Sequence, residues 1–144
     1  MNRRSFLSTA LSLTAGLSAS NYLRAQNAAE LKGVIQTVTG KIKANALGNT
    51  LPHEHIMVDF IGASDVSPLR YDPREVYQRA LPFLNDIRSR GCNAFFDCTP
   101  AYLGRDVTIL QQLSKASGIR IITNTGLYGA RDNAFIPWNL MQKN

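Results

Sequence analysis

The stretch Asn93-Ala94-Phe95-Phe96-Asp97-Cys98-Thr99 constrains the fold more than any other part of the chain. Its apolar residues are consecutive rather than alternating, so a strand made from it has no face to give to water. Strands of that kind belong to parallel sheets covered by helices, and both flanks of this one read as helices. On its N-terminal side, Asp72-Pro73-Arg74-Glu75 has the form of a helix start. Asp72 can cap, Pro73 suits the first helical position and Glu75 can reach back toward the cap. Val76, Ala80, Leu84 and Ile87 continue one apolar face, and Gly91 ends the helix. Pro82 lies inside this pattern and is expected to bend or break it. On the C-terminal side a second helix runs from about Asp106, with Val107, Leu110 and Leu113 turned inward and Gly118 as its stop. Ile119 to Gly126 then reads as another strand.

Upstream, Val34, Val38 and Ile42 are interrupted by Thr39-Gly40, a hairpin turn. Thr50 to Phe60 reads as a buried strand, with Pro52 tolerable near its start. The expected order is a short β-hairpin followed by β-α-β-α-β, an α/β fold with parallel strands joined by helical crossovers. After the last strand, the segment from Leu127 to Asn144 reads as a loop that leaves Phe135, Ile136, Trp138 and Leu140 exposed. Three parallel strands also leave two sheet edges open. Such a domain reads as incomplete. No internal repeat or low-complexity segment stands out.

The first residues have a different character. Asn2-Arg3-Arg4-Ser5-Phe6-Leu7 is followed by a mildly apolar run diluted with Ser, Thr and Gly, too short and too polar for a membrane span. The arginine pair resembles the signal read by the twin-arginine translocase. Residues 1–26 are therefore expected to be an export signal, cut somewhere between Ser20 and Ala29, leaving a periplasmic protein with no stable membrane anchor. Without Arg3, Arg4 and Arg24, the 16 basic residues fall to 13 against 10 acidic ones, and the net charge drops from +6 to +3. The remaining Lys and Arg are scattered, so no nucleic-acid surface is expected. Cys92 and Cys98 sit in or beside one strand. Six extended residues span roughly 20 Å, and a disulfide needs Cα atoms within about 7 Å. Two buried free thiols are expected.

The chain has two histidines, His53 and His55, with Glu54 between them. Residues i and i+2 of a strand share a face, so the two imidazoles project together and Glu54 points away. Two ring nitrogens on one face can ligate one metal ion, zinc being a natural candidate. A hydrogen-bonded or surface pair explains many His-x-His sequences equally well. Here the pair lies in the first strand of a β/α alternation, and unpaired polar groups are costly in a strand of buried type. Asp59 is a doubtful further ligand because of its distance along the strand.

Gly48-Asn49-Thr50-Leu51-Pro52-His53-Glu54-His55-Ile56 resembles the first signature of the phosphotriesterase family in the amidohydrolase superfamily. The likeness continues through Asp97 to Val107, which contains Gly104-Arg105-Asp106, and through Thr123 to Gly129. It implies a TIM (β/α)8 barrel, of which residues 27–144 would be the N-terminal part with three of eight units, the barrel being incomplete in this chain. It also implies a centre of two divalent metal ions, usually zinc, with His53 and His55 as ligands. A metal-activated hydroxide would attack a phosphotriester, lactone or other ester centre of a small-molecule substrate. The family's other ligands are a modified lysine, two more histidines and an aspartate on later strands, and none is assignable here. No catalytic residue is assignable either. Tyr128 falls where the family lines its substrate pocket with an aromatic residue, and plain loop packing is the other reading. Asp97 can orient a ligand histidine from behind or cap its loop. Asp106 reads as a helix cap. The complete protein could form a homodimer. The rival expectation is a non-catalytic truncated periplasmic protein, at most a weak metal binder. A hydrolase of another amidohydrolase branch is a third.

Overall fold

A computed structural model describes residues 33–142. The export signal expected over residues 1–26 lies outside the described residues. Strands β1 (Val34–Thr37) and β2 (Gly40–Lys43) form an antiparallel hairpin whose two-residue turn is Val38-Thr39, one residue earlier than expected. The turn is anchored to the next sheet. Val38 is buried, its N–H donates to the Ile121 carbonyl at 2.9 Å, and its carbonyl accepts from Gln111 Nε2 at 2.8 Å. Val34, another of the hairpin's apolar positions, is 66% exposed.

Strands β3 (Thr50–Glu54), β4 (Ala94–Asp97) and β5 (Arg120–Thr123) form a parallel sheet in the order β3-β4-β5. Helix α1 (Pro73–Ser89) connects β3 to β4, and helix α2 (Val107–Ser117) connects β4 to β5. The α/β alternation with parallel strands is as expected. Glu54, Asp97 and Thr123 stand side by side at the carboxyl ends of the three strands.

β3 differs from the continuous buried strand that the sequence suggests. It stops at Glu54, and Pro52, His53 and His55 are exposed. Its pairing slips by one residue between Leu51 and Glu54, so that Pro52 and His53 together oppose Phe96. A proline has no N–H to give to a ladder, and a bulge is where a strand accommodates it.

The buried core gathers Leu84 of α1, Phe95 of β4, Ile109, Leu110 and Leu113 of α2, and Ile119 and Ile121 around β5. α2 is set by its ends. Asp106 accepts from the N–H groups of Thr108 and Ile109, and Gly118 closes the helix at φ 71°, a left-handed conformation that costs glycine little. Its buried face uses Ile109 where Val107 was expected, and Val107 is 40% exposed. In α1, Asp72 accepts from the Arg74 N–H at 2.8 Å, but Glu75 pairs with Arg79 instead of reaching back to the cap. The helix also runs unbroken through Pro82. Pro82 and Gln78, whose carbonyl loses its partner, both lie on the exposed side, where water can take that carbonyl.

After β5 the chain makes one isolated antiparallel bridge, Tyr128 to Phe135, and ends in the short helix α3 (Trp138–Met141). Phe135 is not exposed as expected: it is 1% accessible, between the rings of Phe60 and Tyr128 and beneath the Arg131 guanidinium. Trp138 and Leu140 are exposed, as expected. Arg131, Asp132 and Asn133, just before Phe135, take φ values of 51°, 54° and 63°. Among the described residues, no helix is long and apolar enough to cross a membrane.

Candidate metal centre

The carboxyl end of β3 brings both histidines to one place. His53 Nε2 and His55 Nε2 are 3.2 Å apart, with the rings crossed at 70°. Two nitrogens each about 2.1 Å from one zinc ion in near-tetrahedral array lie roughly 3.2–3.4 Å apart. The observed separation therefore fits a shared ion, and imidazole donors suit zinc, cobalt, nickel and iron. Among the described residues no group of three or more His, Cys, Asp or Glu side chains gathers into such a site. Glu54 lies beside an open apolar groove of about 250 Å³ between β3 and α1, lined also by His55, Phe83 and Leu84. Asp59 is engaged elsewhere: Arg70 Nε donates to it at 2.6 Å, holding its carboxyl below the usual range.

Behind His55 stands a buried polar pair. His55 Nδ1 lies 2.9 Å from Thr99 Oγ1, and Thr99 Oγ1 lies 3.1 Å from Asp97 Oδ1. Asp97 Oδ1 also accepts from the Ile56 N–H at 3.2 Å. Asp97 is 2% exposed and Thr99 1%. Burial pushes the Asp97 carboxyl above its ordinary value, opposed by those two hydrogen bonds and by the charges of His55 and Arg105. Asp97 thus reaches His55 only through Thr99. Thr99 is a functional residue that the sequence signals only by its spacing, two residues from Asp97 as His55 is from His53.

Gly104-Arg105-Asp106 is a brace around this end of the sheet. A Cβ on Gly104 would lie 3.0 Å from the Asp59 backbone nitrogen, and the Asp59 N–H donates to the Leu103 carbonyl at 2.8 Å. Glycine lets the loop after β3 sit directly on the loop after β4. Arg105 donates to the Asn124 carbonyl, and Asn124 Nδ2 donates to the Cys98 carbonyl at 2.6 Å, tying β5 to β4. Asp106 is the expected cap of α2 and also accepts from the Tyr71 hydroxyl at 2.7 Å. Burial first, and that bond second, raise the Tyr71 phenol above its ordinary value. Thr123 Oγ1 and Asn124 Oδ1, at the end of β5, are buried without a partner among the described residues. Tyr128 is 42% exposed, and its ring neighbour is Phe135 rather than either histidine. Cys92 and Cys98 are free thiols, as expected, but half-buried rather than buried.

Comparison with known proteins extends the reading of the chain. The chain is 30% identical over 87 residues to an aryldialkylphosphatase of Saccharolobus solfataricus, which covers 60% of this chain and 28% of that protein. It is 27% identical over 125 residues to the N-acetyltaurine hydrolase of Salmo salar, covering 68% of this chain and 36% of the relative. Among solved structures, the organophosphorus hydrolase from Deinococcus radiodurans superposes with a TM-score of 0.59 at 33% identity, over 66% of this chain and 29% of the other. The chain spans about a third or less of the length of these hydrolases. The model of the phosphotriesterase family matches residues 33–143, which takes in the histidine pair, the Asp97–Thr99 support and the Gly104–Asp106 brace together, and the chain belongs to that family.

Proposed function

We propose that the chain is the N-terminal part of an exported, metal-dependent hydrolase, its three parallel strands being the first three units of a (β/α)8 barrel. Active sites of such barrels are built at the carboxyl ends of the strands, and that is where Glu54, Asp97 and Thr123 stand. Residues 1–26 act as the twin-arginine signal, and the mature protein works in the periplasm. The observation that carries the reading is the 3.2 Å separation of His53 Nε2 and His55 Nε2. These two side chains would hold a divalent ion, zinc by preference, in a centre completed by later strands. When bound, the metal supplies Lewis acidity and makes water a competent nucleophile near neutral pH.

This chain's own residues do the rest. His53 and His55 offer their nitrogens from one strand end, Arg105 keeps the ends of β4 and β5 together, and Tyr128 would line the substrate pocket, as the family resemblance implies. The substrate class is a small ester, lactone or organophosphate triester. The likeness to an aryldialkylphosphatase and an organophosphorus hydrolase supports the phosphotriester end of that range. In the complete barrel, His55→Ala should lower bound zinc and abolish hydrolysis of an aryl dialkyl phosphate and of a lactone. Unchanged zinc content with full activity would sink the proposal.

A further inference from the structure

Thr99 has one hydroxyl proton and two neighbours, His55 Nδ1 at 2.9 Å and Asp97 Oδ1 at 3.1 Å. The direction of that proton decides which nitrogen of His55 is free. Asp97 Oδ1 already receives the Ile56 N–H, so it acts as an acceptor, and this holds whether or not the other carboxyl oxygen carries a proton. Pointing the Thr99 proton at His55 would set a hydroxyl lone pair against that acceptor in a place from which water is excluded, since Asp97 is 2% exposed and Thr99 1%. The proton therefore goes to Asp97. The lone pair left on Thr99 Oγ1 then needs a donor, and the group at hand among the described residues is His55 Nδ1–H. That assignment leaves the His55 Nε2 lone pair free, on the nitrogen that faces His53.

We infer that Thr99, backed by Asp97, is a positioning residue that locks His55 in the Nδ1–H tautomer and so presents its Nε2 lone pair before any metal arrives. The inference rests on the reading of His53 and His55 as metal ligands. The two histidines are then unequal. Two lone pairs do not face each other at 3.2 Å, so in the metal-free chain His53 carries its proton on Nε2 and donates it to His55. His53 Nδ1 has no hydrogen-bond partner among the described residues, which leaves His53 free to move its proton there when an ion takes the space between the rings. His55 is the fixed ligand and His53 the adaptable one.

The test is long-range proton–nitrogen NMR of the histidine rings in the metal-free full chain at about pH 8, above the ordinary imidazole value. The expected result is His55 protonated on Nδ1 and His53 on Nε2. His55 protonated on Nε2 would overturn the inference, and this arm needs no variant. Thr99→Val, which keeps the shape and removes the hydroxyl, should release His55 into a mixture of tautomers. It should also weaken binding of zinc alone by about 10- to 100-fold, the usual effect of losing such support. Thr99→Ser should restore both. A folded Thr99→Val chain with wild-type tautomers and zinc affinity refutes the assignment. Zinc binding that survives His53→Ala with His55→Ala would defeat the metal-site reading instead, whatever the tautomers show.

Discussion

The two β/α units of this chain share one plan and are packed very differently. Around α2, Ala94, Phe95, Ile109, Leu110, Leu113, Ile119 and Ile121 are each no more than 2% exposed. In α1, which is the longer helix at 17 residues, only Leu84 is fully buried, and Phe83 stands 74% exposed over the groove beside β3. The difference comes from position in the sheet. β4 has a strand on each side, so the elements behind it close over a full layer, whereas β3 is an edge strand paired on one side among the described residues. The histidines sit at the end of that edge strand, and the support of His55 comes from Asp97 at the end of β4 and Thr99 two residues beyond it. The tightly packed unit and the histidine pair are thus neighbours, joined by the Thr99–His55 contact.

The sharpest way to break this comparison is to truncate one side chain in each unit. Leu113→Ala, at 0% exposure, should cost about 2–5 kcal/mol in chemical denaturation, the range for a buried leucine. Phe83→Ala should stay within about 0.5 kcal/mol, as for most exposed substitutions. Equal losses would mean that the two units are held alike. The helix caps give a finer contrast. Asp106 accepts two backbone N–H groups and the Tyr71 hydroxyl, while Asp72 accepts one N–H. Asp106→Ala is expected to cost about 2 kcal/mol and Asp72→Ala about 0.5–1 kcal/mol, measured as shifts in urea midpoint at constant slope.

The smallest effect concerns the Asp59–Arg70 pair on the loop after β3. The arginine lowers the Asp59 carboxyl, so the unfolded chain takes up that proton first as pH falls. The contribution is present above about pH 4, the ordinary carboxylate value, and is lost as pH drops through the lowered folded value. Asp59→Asn should therefore be slightly less stable than the parent at pH 7 and indistinguishable from it near pH 2. A gap that persists at pH 2 would show that the pair is not its source.

What was legible in the sequence was local. The caps at Asp72 and Asp106, the stop at Gly118 and the continuous apolar run of β4 each depend on a few neighbouring residues, and each appears where it was expected. His53 and His55 also converge as expected, although β3 ends at Glu54 and bulges at Pro52-His53, so strict alternation is not what brings them together. What was missed depends on distant partners. Phe135 is buried because Phe60 and Tyr128 come to it across the loop, and nothing next to it in sequence announces them. Pro82 breaks no helix because the carbonyl it deprives faces outward, which the apolar pattern alone does not settle. Thr99 was read as one more residue of an apolar strand, although its partner lies 44 positions away.

The left-handed run Arg131-Asp132-Asn133 has a consequence for how such a protein can change. Each non-glycine residue there carries about 1–2 kcal/mol of steric cost, less for Asp and Asn. Phe135 and the Ala63 N–H bond to the Ala134 carbonyl hold the run in place against that cost. Arg131→Gly would relieve the strain and remove the guanidinium over the Phe135 ring in the same step. The two effects oppose each other, so the fold's overall stability would move little while the outline of the Tyr128 loop loosened. A segment balanced in this way can drift in sequence and alter the contour of the loop after β5 while the sheet beneath it stays the same.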